Sequence, residues 1–189
     1  MLPLALDLSH RAVLVIGMGR VGQYKTGQLL EAGAHVDVIS DVLLCDVPEG
    51  VRSVRVRPYR AGDLEGYYLV VSATANPDAN DEIVTEARQR QIFLNVVDDP
   101  PRCSFYFTSL YRDGDVIISV SSSGASPSLA QWIRRRVQDI LPAGLGQVAQ
   151  TLRAERAALH AAGESTERDW SQRVRELTNP LTSEIPPLS

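Results

Sequence analysis

Three groups of residues in this chain have the type and spacing to do chemistry. The first is Gly17-Met18-Gly19-Arg20-Val21-Gly22, a G-x-G-x-x-G run. Set between a strand and a helix, such glycines have separate jobs. Gly17 allows a tight turn, Gly19 lets the backbone approach a pyrophosphate, and Gly22 lets the helix pack close to the strand. The helix N-terminus meanwhile favours the phosphate charge. The second is an acidic residue about 20 positions further on, where one is needed to take the ribose hydroxyls. Asp41 meets that spacing at a strand end, with Asp37 in the same strand as its rival. A carboxylate there repels a 2′-phosphate, so NAD is expected over NADP. The third is Asn95-Val96-Val97-Asp98-Asp99-Pro100-Pro101, at another strand end where catalytic groups would sit. Side chains alternate along an extended segment, so one of Asp98 and Asp99 should face a cleft. The plain alternative is the turn chemistry of Asp before Pro.

These groups need elements to hold them. Residues 12–17 are a continuous apolar, β-branched run, as suits a strand buried on both faces of a parallel sheet. Residues 20–32 then suit a helix, with Val21, Leu29 and Leu30 free to pack on the sheet and Gly33 as its cap. Further strands are predicted at 35–40, 51–56, 67–72 and 92–97, with a helix at 77–90 that tolerates Pro77 in its first turn. Ser72-Ala73-Thr74-Ala75 closes the fourth strand, and ligands lie beyond the carboxyl ends of parallel strands, so Ala73 and Thr74 belong beside the nucleotide. Alternating strands and helices imply βαβ units and a doubly wound α/β sheet of Rossmann type. After Pro100-Pro101 the pattern changes. Residues 104–110 and 116–120 read as two strands joined by Arg112-Asp113-Gly114-Asp115, a hairpin signal. A Ser/Gly loop follows at 121–127 and a helix at 128–140 carrying Arg134, Arg135 and Arg136. Two amphipathic helices are expected around Leu145–Leu159 and Trp170–Leu177. Residues 180–189, with three prolines, read as a frayed end.

Bulk composition excludes several classes. With 189 residues, 44% hydrophobic, 22% charged and a net charge of -4, the chain is an ordinary globular protein and offers no polyanion or membrane surface. The first eight residues lack a basic stretch and run into His10-Arg11, so no signal peptide is expected. Nor does any run reach the roughly 18 apolar residues of a membrane span. Two cysteines, Cys45 and Cys103, are too few for a disulfide framework and fit a reducing cytoplasm. His10, His35 and His160 lack metal-ligand spacing, so no protein-held metal is expected. Lys25 is the single lysine among 19 basic residues.

In combination these residues resemble the precorrin-2 dehydrogenases of the siroheme-synthase type, some of which are also sirohydrochlorin ferrochelatases. The resemblance runs from Leu4 to about residue 160. It is carried by Leu6-Asp7-Leu8 through Gly17, the glycine turn with Lys25 in its helix, Leu29-Leu30-Glu31-Ala32-Gly33-Ala34, and Asn95-Val96-Val97-Asp98. It continues in Ser121-Ser122-Ser123-Gly124-Ala125-Ser126-Pro127 and in Leu141-Pro142 with Leu145-Gly146. Met18, Gly22, Tyr24-Lys25 and Ser123 depart from the commoner family residues.

The resemblance implies that Asp98 takes the place of the catalytic aspartate, as a general base. It likewise places Arg20, Val21, Asp41 and Val42 among the NAD contacts, and Ser122 in the active-site serine loop. Asn95, Ser123, Gly124 and Ser126 accompany Ser122 on the substrate side, and Arg102 and Arg134–Arg136 are candidate donors to the substrate's carboxylates. Residues 1–112 would be the NAD-binding domain, 113–142 a dimerisation region within a homodimer, and 143–189 a helical region. The implied reaction oxidises precorrin-2, a tetrapyrrole, to sirohydrochlorin, with ferrous iron as a second substrate where ferrochelatase activity is present. Two other classes share the glycine turn. An NAD-sensing regulatory module would not need Asp98 and the serine loop together. An unrelated NAD dehydrogenase would show a Lys, Tyr or His acid/base, and none is well placed.

Overall fold

The computed structural model describes residues 2–182, which form two compact units divided between Tyr106 and Phe107. In the first unit, β1 (Ala12–Met18), β2 (His35–Leu43), β3 (Ser53–Val56), β4 (Leu69–Ser72) and β5 (Phe93–Val96) make one parallel sheet in the order β3-β2-β1-β4-β5. Helix α1 (Arg20–Glu31) joins β1 to β2, and α2 (Pro77–Arg90) joins β4 to β5. The strand order reverses at β1, so right-handed crossovers running in opposite directions place the two helices on opposite faces. The reversal also opens a crevice at the carboxyl edge beside β1. Val13 through Met18 are all buried, as the unbroken apolar run requires. On the α2 side, Leu14, Ile16, Ile39, Val70, Leu94 and Val96 pack with Ile83, Val84 and Ala87. The face that α1 buries is Gly22, Thr26 and Leu29, spaced as successive turns demand. Val21 was expected to pack on the sheet and instead lies in solvent, because it projects one residue off that stripe.

Helices are absent from the β2–β3 and β3–β4 connections, as the sequence, with helices read only at 20–32 and 77–90, leads one to expect. Buried carboxylates hold these loops in place of helical packing. Glu86 of α2 accepts hydrogen bonds from Tyr59 Oη, from Gly62 N at 2.8 Å, from Leu64 N at 3.3 Å and from Arg90 Nε at 2.8 Å. That seats the fully buried Leu64 in the core. Asp37, only 4% exposed in β2, accepts from Arg52 Nε and Nη2 at 2.9 and 2.5 Å, Ser53 Oγ at 2.9 Å and Tyr67 Oη at 2.6 Å. Burial pushes its carboxyl up, but the hydrogen bonds from Arg52, Tyr67 and Ser53 outweigh that and leave it at about 2.

The second unit holds β6 (Ser109–Asp113), β7 (Val116–Val120), α3 (Pro127–Ile140), α4 (Leu145–Ala161) and α5 (Ser171–Thr182). The strands form an antiparallel hairpin with Gly114-Asp115 at its tip. β6 begins at Ser109, later than the predicted Ser104. Ser104 is tied back onto β5, its Oγ accepting from Leu94 N at 2.7 Å and its N donating to Leu94 O at 2.8 Å. The hairpin sits tightly on the start of α4, since a Cβ on Gly146 would lie 2.6 Å from Asp113 O. Arg173 of α5 reaches Glu155 of α4 at 2.6 Å. α5 continues through Pro180 to Thr182, and the remainder of the predicted frayed end lies outside the described residues. No helix among the described residues is long and apolar enough to cross a membrane.

Because the folded Asp37 carboxyl lies below its ordinary 3.8, its stabilisation is complete above about pH 4 and is lost as pH falls toward about 2. We expect Asp37→Asn to lower the unfolding free energy by about 2 kcal/mol at about pH 7, and by much less at about pH 2.5. Urea unfolding at both pH values measures this. An equal loss at both would rule out the ionised carboxylate as the cause.

Candidate active site

The glycine turn is built by contact. Gly17 has φ +96, and a Cβ there would stand 2.7 Å from the Ala73 carbonyl carbon and oxygen and 2.8 Å from Thr74 N. A Cβ on Gly22 would fall 2.0 Å from Gly17 O. Strand, turn and helix therefore close on one another only if both residues are glycine. Gly19 differs. Its backbone is extended at φ -93, ψ -173, and a Cβ would meet nothing within 4 Å. The open space lies at the N-terminus of α1, which has no side-chain cap and no acidic residue in its first turn. By contrast, α2 is capped by Asn76, which accepts from Asp78 N and Ala79 N. Unpaired N–H groups, the helix dipole and an unfilled cradle at Gly19 fit a pyrophosphate. Arg20 and Val21 are exposed at this helix start.

Beside the turn lies a cleft of about 170 Å³, lined among others by Gly17, Asp41, Arg57, Tyr59 and Thr74. Asp41 is exposed and accepts from Val42 N at 3.0 Å, leaving a second carboxylate oxygen for a hydroxyl. Asp37, its rival in the sequence, is consumed by the four donors described above. Val42 is exposed next to Asp41. Ala73 and Thr74 form the wall against Gly17, fixed by Asn80 Nδ2 donating to Thr74 O at 3.3 Å. Sequence reasoning passed over Ser40. Its Oγ accepts from Met18 N at 2.9 Å and donates to Val42 O at 2.6 Å, bridging the point where the β1–β2 register shifts. No pattern marks such a residue in advance, since its role depends on that irregular register.

Past β5 the chain does not stay extended, so alternation does not decide between the two aspartates. Asp99 N donates to Val96 O at 3.3 Å, making a turn in which Asp98 has φ 60. Asp is among the few residues that visit this left-handed region readily. Asp98 is exposed, and among the described residues no hydrogen bond or ion pair engages its carboxylate. Asp99 pairs with Arg102 Nε at 3.1 Å, and Arg102 Nη1 also reaches Asp81 at 2.5 Å. Arg102, a candidate substrate donor in the sequence, is thus occupied in clamping the turn to α2. Cys103 Sγ accepts from Val96 N at 3.2 Å and lies 3.2 and 3.3 Å from the Val96 and Asp99 carbonyls. Burial pushes this thiol up, which disfavours the thiolate form. Asn95, expected on the substrate side, is buried in β5 and donates its amide to Phe105 O at 3.0 Å.

In the second unit the serine loop is knotted by its own side chains. Ser122 Oγ donates to Ser126 O at 2.9 Å and accepts from Ser126 N at 3.0 Å, while Ser126 Oγ caps α3 by accepting from Leu129 N at 3.2 Å. Ser123 and Gly124 sit at φ 54 and 84. Ser122 is therefore a loop-holding residue, and exposed backbone at Ser123 and Gly124 is what the loop offers a ligand. Arg135 and Arg136 are exposed on α3, with Arg136 5.5 Å over the Trp132 ring. His10 and His35 lie ring to ring at 5.4 Å near the starts of β1 and β2, on the edge opposite the cleft. Among the described residues no group of three or more His, Cys, Asp or Glu could hold a metal ion.

Residues 4–109 match the family model described as "Putative NAD(P)-binding". The chain belongs to this NAD(P)-binding family. Siroheme synthase 1 of Serratia proteamaculans is 37% identical to it over 153 residues, 79% of this chain and 32% of that protein. Siroheme synthase of Photobacterium profundum is 35% identical over 178 residues, 90% of this chain and 38% of that one. The chain thus spans about a third of the length of these relatives. The solved structure of "SirC, precorrin-2 dehydrogenase" superposes with a TM-score of 0.69 at 22% identity, covering 99% of this chain and 90% of its own, which establishes a shared fold.

For this NAD(P)-binding family member the glycines make separable predictions. Gly19→Ala should keep stability within about 0.5 kcal/mol, because its Cβ enters open space, yet weaken NAD binding at least about tenfold by filling the phosphate cradle. Gly22→Ala should unfold the turn. Thermal melts with nucleotide titrations measure both, and normal NAD affinity in folded Gly19→Ala would place the pyrophosphate elsewhere.

Proposed function

We propose that this chain is an NAD-dependent precorrin-2 dehydrogenase that converts precorrin-2 to sirohydrochlorin, with sirohydrochlorin ferrochelatase activity toward ferrous iron as a second step. The carrying observation is Asp98. It is an unpaired, exposed carboxylate held in a left-handed turn just beyond β5, at the carboxyl edge that also bears the glycine turn and cleft. The names of the relatives, siroheme synthase and precorrin-2 dehydrogenase, support the same reading.

NAD, when bound, supplies the acceptor for the hydride that precorrin-2 gives up. The chain's own residues do the rest. Gly17, Gly19, Arg20, Val21 and Gly22 hold the pyrophosphate at the start of α1, and Asp41 with Val42 holds the adenosine ribose. Ala73 and Thr74 close the wall on the β4 side. Asp98 takes the proton lost from the substrate onto a carboxylate oxygen, a contribution typically worth about 10²–10⁴-fold. Asn95 supports it from below by fixing the return of the chain at Phe105. Ser122, Ser123, Gly124 and Ser126 serve the tetrapyrrole as a preshaped loop. As a carboxylate, Asp98 also suits drawing ferrous iron toward the macrocycle.

In this scheme residues 1–112 are the cofactor domain, 113–142 the dimerisation region and 143–189 the helical region. The hairpin and α3 leave Leu110, Ile117, Leu129, Trp132 and Ile140 exposed, the kind of apolar surface that a homodimer covers. Both cysteines are unpaired, which suits a reducing cytoplasm.

Purified protein given NAD and precorrin-2 is expected to develop NADH absorbance and the sirohydrochlorin spectrum. A further spectral change on adding ferrous iron would report insertion. NAD binding without turnover would leave only a nucleotide-sensing module. Asp98→Asn keeps the left-handed turn accessible, and should lower kcat about 10²–10⁴-fold with the Kd for NAD nearly unchanged. Unchanged turnover would remove Asp98 from the catalytic role.

A further inference from the structure

We propose that Asp63 sets the cofactor preference of the cleft by holding Arg57 away from the position of a ribose 2′-phosphate. This rests on the reading above that a dinucleotide places its ribose at Asp41.

Arg57 directly follows β3, and its backbone N donates to Ser40 O at 2.9 Å, so it stands beside Asp41 on the neighbouring strand. It lines the same cleft. Asp41, Asp78 and Glu82 line it too, and Arg57 is the one cation among the described lining residues. An unengaged arginine there would be a strong phosphate ligand, always charged and with a fork of donors matched to the anion. Three of its five N–H donors, including the terminal pair that faces Asp63, are already used. Nη1 reaches Asp63 Oδ2 at 2.7 Å and Pro58 O at 2.9 Å, and Nη2 reaches Asp63 Oδ1 at 2.6 Å. Asp63 is itself fixed. Its side chain is 10% exposed, Oδ2 also accepts from Arg60 N at 2.8 Å, and Arg55 Nη1 lies 3.7 Å from Oδ1. The hydrogen bonds from Arg57 keep the Asp63 carboxyl below its usual range, so it is ionised near neutral pH.

Two carboxylates thus act on one ribose position by different routes. Asp41 opposes a phosphate directly, while Asp63 cancels the single cation that would attract it. Discrimination of this kind works by denying the wrong ligand a partner. Releasing Arg57 should therefore create affinity for NADP without adding any group to the cleft.

The test is calorimetric titration of the full chain with NAD and with NADP. Asp63→Asn should shift the ratio of the two affinities toward NADP about tenfold, the scale of one freed charge-assisted contact. Asp63→Asn/Arg57→Gln should return the ratio to the wild-type value. A ratio unmoved in Asp63→Asn, or a gain that survives in the double variant, would overturn the proposal. Should Asp63→Asn melt early, the comparison moves to Asp41→Asn with and without Arg57→Gln. Equal NADP affinity in that pair is expected of an arginine already held by Asp63, and weaker binding on removing Arg57 would overturn the proposal. Tight NAD binding with an unmoved ratio would defeat this inference alone, whereas binding of neither nucleotide to the wild-type chain would defeat the underlying reading as well.

Discussion

Everything at the carboxyl edge of the sheet depends on how closely the chain folds onto itself at Gly17, Gly22 and Ala73. Methyl groups at the two glycines would lie 2.7 Å from Ala73 backbone and 2.0 Å from Gly17 O, distances that no repacking of a side chain can relieve. Because those contacts are backbone on backbone, they fix the start of α1 relative to β1 and β4 more tightly than side-chain packing would. The helix start in front of them is bare because of the residues that form it. Gly19 looks onto open space, and the first turn of α1 carries neither a capping side chain nor an acid. Rigidity behind the turn and open space in front of it together suit a pyrophosphate.

The sheet reaches this arrangement with only two crossover helices. Where helices are missing, ionised side chains hold the connections. Asp37 gathers Arg52, Ser53 and Tyr67, Glu86 gathers Tyr59, Gly62 and Arg90, and Asp63 gathers Arg57. Each buried carboxylate is offset by several donors, the condition under which its desolvation can be tolerated. These anchors are also why the cleft keeps its shape, since Arg57 and Tyr59 belong both to a loop fastened by carboxylates and to the lining.

Asp98 is held differently from Asp41. Its own carboxylate is left alone while its neighbours are secured, Asp99 by Arg102 and the β5 end by Cys103. A left-handed residue costs about 1 kcal/mol or more where the side chain is not glycine. Asp tolerates it better than most, and the surrounding hydrogen bonds over-determine the turn. Holding the frame of a group while freeing its functional atoms is what the proton transfer proposed for Asp98 requires.

Much of this protein is written in local pattern. The apolar run at 12–17, the spaced glycines and the Pro77 start of α2 depend on a residue and its near neighbours, so order, parallel sheet and glycine turn are legible without coordinates. The Asp41 spacing is legible for the same reason, and so are the two C-terminal helices. What tertiary structure alone decided has partners distant in sequence. Asp37 stands as a rival to Asp41 in β2 until Arg52 and Tyr67 arrive from later segments and take it up. Asp98 and Asp99 look interchangeable until Arg102 bridges Asp99 to α2 and a turn replaces the expected extended chain. The late start of β6 and the pairing of Arg57 with Asp63 follow the same rule. A side chain's type states what it can bind, and only the folded chain determines which of its possible partners is close enough to claim it.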